Sequence, residues 1–179
     1  MTVRVTKPEF NLREKLSELD YSRVPYEKMP AGSVIQVQQH HLYGSGQVTT
    51  TSQSFQDSGL FIDFHPKFAN SLLLVTCDFN AQSGDATNSG LRWSILREID
   101  GTPTASSYNL LGDSSRGVSI TYSSASGYIH EGTSITMEDK PNTIERVQYR
   151  MFFYSHNTTT VGVSRDWGGA HFTVMEVRE

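Results

Sequence analysis

The chain has 179 residues, 36% hydrophobic and 19% charged, with 15 Lys and Arg against 19 Asp and Glu and a formal charge of −4. That balance supports a packed core, and without any basic run it leaves no phosphate-binding footprint, so nucleic acid is not an expected partner. No apolar stretch reaches the ~18 residues of a membrane span, no apolar h-region opens the chain, and a single cysteine, Cys77, excludes an intrachain disulfide, so packing alone must hold the fold, in what reads as a reducing compartment.

Residues 1–31 differ in composition from the rest. They hold six of the basic residues (Arg4, Lys7, Arg13, Lys15, Arg23, Lys28) and three of the six prolines (Pro8, Pro25, Pro30). Asn11 can cap a helix, with Glu14 three residues later in a capping-box arrangement. Leu12, Leu16 and Leu19 then recur at helical spacing and share one stripe. A helix this short is marginal alone in water, so the stripe must lie on its own domain or on another protein. Pro25 and Pro30 bracket a stretch that suits neither a helix nor a central strand, and residues 20–32 read as an extended linker.

From residue 32 onward the pattern has a period of two. Strands are expected at 34–37, 48–54, 60–64, 71–81, 91–99, 118–122, 134–137, 147–154, 161–165 and 170–177. In the fourth, Leu73, Val75, Cys77, Phe79 and Ala81 take one face while Leu72 and Leu74 lie on the other, which marks a central strand. Asp100-Gly101 is a hairpin-turn signal. Segments 82–90 and 102–117 read as long loops. Many short strands with no helix between them predict an all-β, antiparallel sandwich or barrel over 32–179.

The chemistry-bearing residues do not assemble into a known catalytic pattern. His40 and His41 are adjacent, so on a strand they point to opposite faces and cannot share one ion; they read as a solvated or interface pair. His65, His130, His156 and His171 are scattered. Cys77 reads as a buried structural thiol, and Asp63, Asp78, Asp85 and Asp100 lie on different segments with nothing fixing their separation. The segments around Gly44, Gly46, Gly168 and Gly169 open no helix and cradle no phosphate, and Asn157-Thr158-Thr159 reads as a loop. No catalytic residue, metal ligand, cofactor or membrane insertion is therefore expected, and no enzyme. Tyr43, Tyr108, Tyr122, Tyr128 and Trp167 sit in polar segments, where aromatics on a rigid β scaffold stack on sugars or anchor interfaces.

Phe10-Asn11-Leu12-Arg13-Glu14-Lys15-Leu16 resembles the N-terminal motif of tail-fibre and related virion proteins of marine and cyanobacterial bacteriophages. Met29-Pro30-Ala31-Gly32-Ser33-Val34-Ile35-Gln36-Val37 resembles the entry into their C-terminal β domain, and segments 72–79, 92–97 and 172–177 fit it more loosely. The resemblance implies a homotrimeric virion structural protein, assembled in the host cytoplasm. Its residues 1–31 would dock on other virion proteins through Phe10, Leu12, Leu16 and Leu19. Its jelly-roll-like domain, similar to the C1q/TNF type, would face outward toward a host-surface glycan or protein. The repetitive shaft of many relatives is missing, so a short tail fibre or appendage suits the length, with a capsid decoration or tail/baseplate connecting protein as the alternative.

Overall fold

The computed structural model describes residues 25–42, 46–84, 86–110, 117, 119–123, 127–164 and 169–179. The predicted helix and the docking residues Phe10, Leu12, Leu16 and Leu19 lie outside the described residues. The strands are β1 (Val34–Leu42), β2 (Gln47–Thr50), β3 (Gln56–Phe64), β4 (Leu72–Gln82), β5 (Ser89–Ile99), β6 (Tyr108–Asn109), β7 (Ser119–Ser123), β8 (His130–Asp139), β9 (Val147–Ser155), β10 (Val161–Ser164) and β11 (Ala170–Val177).

They pair, all antiparallel, into two sheets. One runs β1-β11-β4-β8, with β10 and β2 continuing along the β11 side of β4. The other runs β3-β9-β5, with β6 and β7 on the remaining edge of β5. The chain passes between the sheets at β2–β3, β3–β4, β4–β5, β7–β8, β8–β9 and β9–β10, which is jelly-roll connectivity. The predicted sandwich is therefore the observed one, and β4, paired on both edges, is central as its two-faced pattern requires.

The core comes from the period-two positions. Leu73, Val75, Cys77 and Phe79 of β4 and Phe172 and Val174 of β11 face Leu91, Trp93 and Ile95 of β5 and Tyr149, Met151 and Phe153 of β9, all buried. Phe79 and Trp93 meet edge to face across the sheets, with centroids 4.8 Å apart. Gly117 packs so tightly on this layer that a Cβ would lie 2.2 Å from the Trp93 carbonyl oxygen, at a φ of 65°.

Four expectations are corrected. The segment 102–117 contains the short strand β6, and 82–90 already includes the start of β5; polar residues at both places hide the alternation. Asp100 does take a positive φ, but the reversal is a wide loop, since Arg97 pairs with Tyr108. At 52–54 the chain leaves the sheet because the Thr50 and Ser52 hydroxyls accept the backbone N–H groups of Ser52 and Ser54, each at 3.0 Å.

Side chains close the edge between the sheets. Gln36 and Gln38 of β1 donate to the carbonyls of His65 and Asp63, each at 2.7 Å, and so occupy one acceptor on edge strand β3 and one just past its end. At the same end Glu176 is fully buried. Its carboxylate accepts the backbone N–H groups of Lys67 (2.8 Å) and Phe68 (3.0 Å), the Ser71 hydroxyl (2.6 Å) and the Gln36 amide (2.7 Å).

Residues 25–32, expected to be linker, are fastened to the sandwich. Gly32 N–H donates to the Arg178 carbonyl at 2.7 Å, and Arg178 N–H to Ser33 at 2.9 Å. The Arg178 guanidinium donates to the carbonyls of Tyr26 (2.8 Å) and Met29, gripping the 3-10 turn Tyr26–Lys28. Pattern reading misses this because the partner lies some 150 residues away. Arg178→Ala is expected to leave the melting temperature nearly unchanged while trypsin cuts after Lys28 several-fold faster; equal cutting rates would mean the turn holds without the guanidinium.

Candidate functional site: the outer face of the β1-β11-β4-β8 sheet

Pairing register arranges the outward side chains of this sheet into rows across four strands. Val37, Met175, Leu74 and Glu138 form the first. Gln39, Thr173, Thr76 and Thr136 form the second, tied by a 2.8 Å bond between the Thr76 and Thr136 hydroxyls. His41, His171, Asp78 and Ser134 form the third, in which the two imidazoles lie 5.1 Å apart at 50°. Beyond it Asn80 faces Gly132.

The face thus changes from apolar to polar along the strands. Its apolar row lies beside the Arg178 anchor, and there Val37 is 52% exposed. Asp78 stands six residues from Leu72 on β4, about 20 Å at the usual strand rise. At that polar end a concavity of about 490 Å³ is lined by Asp78, Asn80, Gly132, Thr133, Ser134 and His171.

His40 and His41 separate as expected. His40 stacks on Phe61 at 5.4 Å on the side of β3, whereas His41 joins His171 on the outer face. The pairing of His41 with His171, and of both with Asp78, escaped sequence reading. Their outward parity was readable beside inward Phe172 and Cys77, but the register that aligns three distant strands was not. Asp63 is taken by Arg146 (3.2 Å) and Gln148 (2.8 Å). Asp100 uses its backbone N–H on Arg146 at 2.7 Å. Asp85, Tyr43, Trp167 and the Tyr122 side chain lie outside the described residues. Cys77 is fully buried; burial, and then the charge of Asp78, push its thiol up, so it packs as a neutral group.

Of the aromatics singled out, Tyr108 and Tyr128 are exposed. Tyr108 covers the Arg97 guanidinium at 4.4 Å beside a second cleft of about 300 Å³. The polar groups there are already engaged: Arg97 with Asp139 at 2.6 Å, and Ser107 with Glu98 at 2.8 Å.

No family model matches the chain, and no curated protein matches it. Among solved structures, that of infectious bursal disease virus, Gx strain, aligns with a TM-score of 0.34 and 10% identity over 80% of this chain and 40% of that one. A mutant VP2 protein of infectious bursal disease virus, in derived T=1 particles, aligns with a TM-score of 0.29 and 13% identity over 79% and 39%. The chain spans about two-fifths of each of those chains. A likeness this slight adds nothing to the fold read directly from the strand order.

Proposed function

We propose that the chain is a homotrimeric virion structural protein, a short tail fibre or appendage that docks through residues 1–31 and presents its β domain to the host surface. The observation that carries this reading is the polarity of the outer sheet face. The chain enters the domain beside Arg178, and the neighbouring row of Val37, Met175 and Leu74 is an apolar stripe suited to a second copy. The polar end, with its concavity, points away from that entry and is where an outward-facing head would meet a surface. The resemblance of residues 10–16 and 29–37 to phage tail-fibre proteins supports the same orientation. Three copies would turn a weak contact at each head into firm attachment.

Sedimentation velocity at micromolar concentration tests the assembly. A mass of three chains is expected, and Met175→Glu should shift it to a folded single chain; a stable monomer of the unaltered protein sinks the trimer. Electron microscopy of the particle then separates an exterior tail position from a capsid decoration or connecting role.

A further inference from the structure

We infer that the concavity at the polar end of the outer face is a binding site for a neutral sugar ring, with Asp78 as its principal hydrogen-bond acceptor. This rests on the attachment reading and names its ligand class. Asp78 is half-buried at the middle of a doubly paired strand, yet its carboxylate makes no hydrogen bond or ion pair with any described residue. A partly desolvated carboxylate in that position has unused acceptor capacity that a ligand can satisfy.

Its surroundings suit ring hydroxyls, each of which donates and accepts. Asn80 stands two residues along on the same face, about 7 Å away, and lines the concavity. His171 flanks Asp78 across one edge of β4 and Ser134 across the other, adding an imidazole face and a hydroxyl. Gly132, opposite Asn80, leaves the floor open and the backbone accessible. The volume of about 490 Å³ falls within the ~300–1,000 Å³ usual for small-ligand sites and admits one or two sugar rings.

The glycine also provides a way to fill the site without disturbing the fold. A Cβ at Gly132 would meet only the Asn80 side-chain oxygen, at 3.6 Å, an ordinary contact. Gly132→Val suits a strand and should fold while occupying the cavity.

The test uses saturation-transfer difference NMR on the full-length protein with methyl α-D-mannoside, methyl α-D-glucoside, methyl β-D-galactoside and N-acetylglucosamine. At least one should give a signal, and both Asp78→Asn and Gly132→Val should weaken its binding at least tenfold with unchanged circular dichroism. No signal from any of the four, or binding that survives both substitutions, overturns the proposal. Cell binding separates this from the broader reading. If the protein adheres to bacterial cells and both variants adhere equally, attachment stands and the sugar site falls. If sugar binds in an Asp78-dependent way and no cells are bound, the site stands and attachment falls.

Discussion

Glu176→Ala lowers the stability of the domain by about 3–5 kcal/mol, because it removes one fully buried carboxylate that serves four donor residues at once. The carboxylate gathers the N–H groups of Lys67 and Phe68, the Ser71 hydroxyl and the Gln36 amide, and thereby holds the β3–β4 turn and strand β1 against β11. Each donor left without a partner costs about 1–3 kcal/mol, and partial entry of water keeps the total below their sum. Glu176→Gln keeps the shape but turns an NH2 group toward those donors, so about 2–3 kcal/mol is expected. Gln36→Leu removes two bonds, to Glu176 and to the His65 carbonyl, and should cost about 1–2 kcal/mol. Urea denaturation reads all three as lower midpoints at unchanged slope. A loss below about 1 kcal/mol for Glu176→Ala would mean water replaces the carboxylate without penalty.

The second large effect is expected at Asp139. Its carboxylate accepts from Arg97 at 2.6 Å and from the Tyr149 hydroxyl at 2.7 Å, with only 5% of the side chain exposed. Asp139→Ala leaves a mostly buried guanidinium without its counter-charge and should cost about 3–5 kcal/mol. Removing both charges together, as Asp139→Leu with Arg97→Met, should cost less than the single change, because desolvation of the pair is no longer imposed. A double variant as unstable as the sum of the two singles would refute the coupling.

The same cluster sets an alkaline limit. Burial, then the charge of Asp139 and its hydrogen bond, raise the Tyr149 phenol far above the ordinary tyrosine value, against a smaller lowering by Arg97. A raised folded-state value means the folded protein keeps a proton that the unfolded chain releases near pH 10. The contribution is complete below that point and falls as pH rises through and beyond it. Tyr149→Phe should therefore flatten the loss of stability between about pH 9 and about pH 11, measured by urea midpoints.

Much of the fold was legible because a half-buried strand writes its own face. Leu73, Val75, Cys77, Phe79 and Ala81 had to share one side of β4 whatever that side packed on, and all five are buried. β6 was missed because Tyr108–Asn109 is too short for any alternation. The N-terminal half of β3 was missed because Ser58 and Gly59 interrupt the apolar pattern where the pairing register shifts. Ser58 is nonetheless buried, its hydroxyl bonded to the Met151 carbonyl at 2.8 Å.

The candidate site was legible only in fragments. His41, Asp78 and His171 could each be placed on an outward position, but a strand pattern does not say which residue of a distant strand stands opposite. Strand content, core-facing residues, the central place of β4 and the opposite directions of His40 and His41 all follow from local period-two geometry. Long-range packing sets the row of His41, His171, Asp78 and Ser134, the four donor residues gathered by Glu176 and the grip of Arg178 on residues 26–29. The reason is register: sliding a strand by two residues preserves every inward and outward direction while changing every neighbour, and packing of the whole sandwich selects among those alignments.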